Sequence, residues 1–112
     1  WAGVLRFRLS IEEAGEWRGW IGVSDDPEPE IFYALTSEAA GRGLAREAVA
    51  AFTRFLFDRF PVPALRAGVF FDNPASMKLL RACGFEEIGI EDHPSRGRDA
   101  PAPCHIFRLP RP

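Results

Sequence analysis

The chain has 112 residues and 46% hydrophobic content, enough for one domain with its own core and too apolar for disorder throughout. A formal net charge of -2, from 14 basic and 16 acidic residues, argues against a nucleic-acid or anionic-membrane surface. Cys83 and Cys104 are too few for a disulfide framework and match no zinc spacing, so they read as reduced thiols of a cytoplasmic protein; no run reaches a membrane span.

Val4 to Ser10 alternates Leu5, Phe7 and Leu9 against Arg6 and Arg8, the period of a half-buried strand. The chain opens on Trp1 and enters this strand with no lead-in, so a native polypeptide longer by some tens of residues is expected. Residues 11 to 16 are polar and carry Gly15, which predicts a turn. Trp17 to Val23 predicts a second strand that pairs with the first. Ser24 to Pro29 has loop chemistry, and Glu30 to Thr36 reads as a third strand.

From Arg42 to about Asp58 the period becomes helical, with Leu44, Ala48, Phe52, Phe55 and Leu56 on one stripe. Its phenylalanines read as core, with a homodimer surface left open; Trp1, Trp17 and Trp20 read as core or sheet-face aromatics. Pro61-Val62-Pro63 ends the helix, and Leu65 to Phe71 alternates as a fourth strand. Asn73 is a good N-cap and Pro74 suits the first helical position of a second helix running to Cys83. Gly84 suits a left-handed stop, with Phe85 closing back on Leu80. Phe85 to Glu91 and Cys104 to Leu109 complete the strands, around a Pro-, Arg- and Asp-rich loop at 92–103 that carries Arg96 and Arg98. The order β-β-β-α-β-α-β-β predicts an α/β fold, antiparallel at first, with a crossover after the third strand.

The junction Ala40-Gly41-Arg42-Gly43-Leu44-Ala45 joins that third strand to the first helix. A glycine turn opening a helix aims unpaired N–H groups at one point, with the helix dipole behind them, and can hold a phosphate or pyrophosphate. The competing reading is a glycine pair that only permits a tight turn. Arg46 stands where a dinucleotide fingerprint needs its third glycine, and no Gly-Lys-Ser/Thr closes the turn as a P-loop requires. His93 and His105 have no third ligand nearby, so no metal is expected.

Taken together, Glu30-Ile31-Phe32-Tyr33-Ala34-Leu35, Gly41 to Ala48, Asp72-Asn73-Pro74-Ala75-Ser76 and Gly84-Phe85 resemble the GNAT superfamily of N-acetyltransferases. Its branch of ribosomal-protein N-terminal alanine acetyltransferases looks closest. The resemblance covers roughly residues 17 to 91 and implies a GNAT-like acyl-CoA acyltransferase fold: a mixed, mainly antiparallel sheet with two helices. Residues 1–112 would form a single acetyl-CoA-binding domain lacking its first strand and first helices. By resemblance, main-chain N–H groups of Arg42, Gly43, Leu44, Ala45 and Arg46 would bind the pyrophosphate of acetyl-CoA. Leu35 and Thr36, at the end of a bulged strand, would pair with its pantetheine arm, and Asn73 would contact it.

The implied reaction moves an acetyl group from acetyl-CoA to a primary amine, of a protein N-terminus or a small molecule, by direct attack in a ternary complex. An alkylammonium of pKa near ~10.4 needs roughly 4–5 kcal/mol to be freed at pH 7, which a carboxylate base lowers. Glu30 matches a family position where a glutamate serves as base; otherwise it is a strand-edge carboxylate. The oxyanion would meet a backbone N–H near Leu35. The family's tyrosine acid falls on Leu80, and its usual turn-opening side chain on Ala40. Ser76 is then the candidate to protonate the thiolate or bind the pantetheine, while Tyr33 reads as packing. The alternative is a catalytically silent CoA-binding or protein-interaction module of the same fold.

Overall fold

A computed structural model of the protein describes residues 7–24, 26–36, 43–70, 73–93 and 102–112. The elements follow the expected order: β1 (Phe7–Glu13), β2 (Glu16–Val23), β3 (Ile31–Leu35), α1 (Leu44–Arg59), β4 (Ala64–Phe70), α2 (Pro74–Ala82), β5 (Glu86–His93) and β6 (Ala102–Pro110). Trp1, Val4 to Arg6, Ala40 to Arg42, Phe71, Asp72, Arg96 and Arg98 lie outside the described residues.

β1 runs three residues beyond its expected end, and the turn shrinks to Ala14-Gly15. Their φ angles of 52° and 82° give the two-residue hairpin whose twist matches the flanking strands. Ile11 is the inward anchor of that extension, while Glu12 and Glu13 gave the segment its turn-like look. Phe7, Leu9 and Ile11 share one face, but Leu9 stays 46% exposed beside an open groove bordered by Leu44 and Ala48 of α1.

β2 pairs antiparallel with β3 in unbroken register, from Gly19 opposite Leu35 to Val23 opposite Ile31. The bulge expected in the third strand is therefore not within β3. It lies in β2, where Ile11 pairs Gly19 and Glu12 pairs Trp17, leaving Arg18 as the extra residue. Gly19 makes that possible: a Cβ there would sit 2.0 Å from the Ala34 carbonyl oxygen.

Two three-stranded antiparallel sheets result, β1-β2-β3 and β4-β6-β5. They meet where β3 and β4 run parallel, through a bridge between Glu30 and Arg66 and an Arg66 N–H donated to the Pro29 carbonyl at 2.8 Å. Helix α1 is the crossover that makes this parallel arrangement possible. Past the bridge a cleft separates Ile31–Tyr33 from Ala67–Val69.

One core lies under both sheets and gathers Ile21, Val23, Val49, Leu56, Leu65 and Phe107 among others. The buried face of α1 is Val49, Phe52, Thr53, Leu56 and Phe57, turned from the expected stripe toward Cys83 and Leu109. Leu44 and Ala48 are half-covered, and Phe55 is 37% exposed, its ring 6.3 Å from Phe7. The helix serves both sheets, so its apolar face is wider than one stripe. Trp17 is 55% exposed rather than core, whereas Trp20 is half-covered with the Arg8 guanidinium 5.0 Å above its ring. Among the described residues no helix is long and apolar enough to cross a membrane.

Candidate active site

The cleft has a volume of about 270 Å³ and collects Tyr33 of β3, Ser76 and Leu80 of α2, and Glu30 and Asn73 from the residues just before those two elements. Glu30 sits at its narrow end beside the bridge. The Glu30 N–H donates to Ser24 Oγ at 2.9 Å, and Ser24 N–H returns a bond of 2.9 Å to the Glu30 carbonyl. Gly68 faces it from β4, where an added Cβ would come within 3.1 Å of Glu30 Oε1.

On its other side Glu30 borders a second hollow of about 470 Å³, lined also by Asp26, Glu28, Arg66 and Glu91. The buried Cys104 thiol is pushed up by its burial first, then by the charges of Glu30 and Glu91. Glu28 is tied down: its carboxylate accepts from Arg108 Nε at 2.8 Å and Nη2 at 3.2 Å, and from Arg66 Nε at 3.0 Å. Those hydrogen bonds, Arg108 first and Arg66 next, lower its pKa to about 2.

Just past the end of β3, Thr36 N–H donates to the Arg18 carbonyl at 2.7 Å. Ladder bonds alternate along an antiparallel pair, so the N–H groups of Leu35 and Tyr33 face away from β2, toward the gap. Thr36 Oγ1 is buried and, among the described residues, has no hydrogen-bond partner. Thr36 thus has its amide committed to the sheet and a buried hydroxyl left without a partner among the described residues.

Gly43 caps α1 with φ 77° and ψ 0°, the left-handed conformation that glycine tolerates best. Its carbonyl takes the Glu47 N–H at 3.1 Å. The cap has no side-chain bond, so the N–H groups of Leu44, Ala45 and Arg46, in the first turn, are free of a side-chain cap. Among the described residues, leaving out its chain neighbours, a Cβ on Gly43 would meet nothing within 4 Å. The geometry fits an anion such as a pyrophosphate. Arg42, the remaining residue expected in this turn, lies outside the described residues.

Helix α2 begins as its sequence dictates. Asn73 Oδ1 accepts the Ser76 N–H at 3.3 Å, and Pro74 occupies the first turn. The cap uses the Asn73 carbonyl oxygen and leaves its amide NH₂ for other contacts. The expected stop is also present: Phe85 N–H donates to the Leu80 carbonyl and Gly84 N–H to that of Arg81, both at 3.0 Å, with Gly84 at φ 94°. Leu80 is fully buried, so it is a core side chain at the back of the cleft.

The expectation for Tyr33 is only half met. Its ring packs on the core, but its hydroxyl lies 2.5 Å from Ser76 Oγ. Burial raises the Tyr33 pKa, partly offset by the bond to Ser76. The two residues are 43 apart in the chain, so no local spacing announces their contact. The Glu28 clamp was likewise invisible, since it spans 38 and 80 residues.

A sequence model of the acetyltransferase (GNAT) domain matches residues 2–86, three quarters of the chain. No curated protein sequence matches significantly. Solved structures of the same fold do. Ribosomal-protein-S5-alanine acetyltransferase from Vibrio fischeri is 21% identical at a TM-score of 0.86, over 96% of this chain and 62% of that one. Spermidine N-acetyltransferase from Vibrio cholerae, in complex with CoA and spermine, is 16% identical at 0.84, over 95% and 66%. The microcin C7 self-immunity acetyltransferase MccE, in complex with acetyl-CoA and AMP, is 17% identical at 0.85, over 94% and 61%. The chain therefore spans about two thirds or less of the length of these proteins. It belongs to the GNAT acetyltransferase family.

Proposed function

We propose that the protein transfers an acetyl group from acetyl-CoA to a primary amine by direct attack in a ternary complex. The carrying observation is that Glu30 borders two hollows at once. One is lined by the carboxylates of Asp26, Glu30 and Glu91, suited to an ammonium, beside the Glu28–Arg66 ion pair. The other runs between the sheets toward the hydroxyls of Ser76 and Tyr33. A carboxylate at that wall can take the proton from an incoming amine as its nitrogen attacks the thioester carbon. The amide N–H of Leu35, turned into the gap, suits the oxyanion that forms. As the C–S bond breaks its electron pair goes to sulfur, where the Ser76 O–H can hydrogen-bond it.

The diphosphate would rest on the first turn of α1, at Gly43 to Arg46. Leu35, Thr36 and Asn73 would line the path of the pantetheine arm. That turn, free of a side-chain cap, and the Thr36 hydroxyl, unpartnered among the described residues, support this reading.

The test is CoA release from acetyl-CoA with a panel of primary amines. Turnover is expected with at least one, and Glu30→Gln is expected to lower kcat about 10²-fold with acetyl-CoA affinity unchanged. Tight acetyl-CoA binding without turnover on any amine would instead favour the catalytically silent module.

A further inference from the structure

We infer that Tyr33 is a positioning residue: its hydroxyl donates to Ser76 Oγ and so turns the Ser76 O–H toward the sulfur that leaves. This rests on the acetyl-transfer reading and adds a second hydroxyl to it.

Three features of the site lead here. Leu80, one turn beyond Ser76 on α2, is fully buried and has no proton to offer. Ser76 is fixed at the start of that helix, its own N–H held by Asn73 Oδ1. A serine hydroxyl on a fixed backbone still rotates, and its single proton can point several ways. Tyr33, from the neighbouring strand, removes that freedom with an oxygen 2.5 Å away.

The direction of the bond follows from acidity. A phenol is the stronger donor of the two, and burial keeps the Tyr33 hydroxyl protonated across the working pH range. Tyr33 therefore donates, Ser76 accepts, and the Ser76 proton is left to point into the cleft. When the C–S bond breaks, its electron pair stays on sulfur. The thiolate is met by the Ser76 O–H, polarised by the Tyr33 O–H behind it. No proton changes owner in that step. The ammonium gives one proton to solvent before it attacks and a second to Glu30 as the amide forms; on release the thiolate takes a proton from water, and the hydroxide left takes the proton from Glu30.

The test compares Tyr33→Phe, Ser76→Ala and the double variant in steady-state CoA release with the best amine of the panel. Acetyl-CoA affinity and thermal midpoint are measured in parallel. The inference expects kcat to fall about tenfold in each single variant and no further in the double, because both remove one hydrogen-bonded unit. Acetyl-CoA affinity should stay within about twofold, and Ser76→Thr, which keeps a hydroxyl, should recover most of the rate. Three results would overturn it: Tyr33→Phe turning over like the wild type, single losses that multiply in the double variant, or a loss matched by lower affinity or midpoint. If the wild type turns over and Tyr33→Phe equals it, the inference alone falls. If the wild type turns over no amine, the acetyl-transfer reading falls and takes the inference with it.

Discussion

Gly43 carries two demands that normally come apart. Its φ of 77° costs an L-residue about 1–2 kcal/mol, yet among the described residues a Cβ there would meet nothing within 4 Å. A substitution there is limited by the backbone and by whatever ligand occupies that space, not by the described side chains. Gly43→Glu is expected to leave the domain folded while weakening acetyl-CoA binding at least tenfold, since the new carboxylate meets the diphosphate. Titration calorimetry on the folded variant checks this; unchanged affinity would make the turn purely structural. At this scale the sequence was readable where chemistry is local. Asn73, Pro74 and Gly84 announced a helix start and stop through fixed spacings, and the structure has those bonds. The Tyr33–Ser76 pair joins a strand to a helix across the cleft, and nothing near either residue signals it.

Elements held up better in kind than in extent. The eight-element order followed from periodicity, because apolar spacing reports which way side chains alternate. Periodicity does not report how many surfaces an element must cover. Helix α1 faces two sheets, so Val49, Thr53 and Phe57 are buried while Phe55 stands partly clear. The close of α1 depends on a residue from the far end of the chain. Arg111 donates Nη2 to the Phe57 carbonyl at 2.8 Å, and Nη1 to those of Phe60 and Val62 at 2.9 and 3.0 Å. These are charge-assisted bonds to carbonyls at a helix C-terminus, where the dipole favours a cation. Arg111→Ala is expected to destabilise the protein by about 1–2 kcal/mol, read by denaturant unfolding, with little change in the slope.

The whole molecule is two sheets pinned at one end. Glu28, in the loop before β3, is hydrogen-bonded to Arg66 of β4 and Arg108 of β6, so one carboxylate spans the junction. Its pKa of about 2, against an ordinary 4.5, means folding favours the charged form. The stabilisation is therefore complete above about pH 4.5 and is lost as pH falls toward 2. With the Glu28 side chain 29% exposed, solvent screening leaves on the order of 1 kcal/mol of it. Glu28→Gln should lower the thermal midpoint by a few degrees at pH 7, and the difference should close as both proteins are taken to pH 2. A gap that persists unchanged at pH 2 would assign the effect to shape instead of charge. The crossover to a parallel strand was legible, since a long helix separates the two strands. The arrangement β4-β6-β5 was not, because pairing between distant strands leaves no mark on either one.

Among the described residues, β3 and β4 share one bridge and then part. Two rows of main-chain groups thus face each other across a slot instead of lying on an outer rim. An exposed rim invites foreign strands to zip on and begin aggregation. A slot admits only a slender extended guest, entering lengthwise and contacting both walls. The same narrowness that would select a thread-like arm also keeps foreign strands off these two edges, with Arg66 the one charged side chain on either strand.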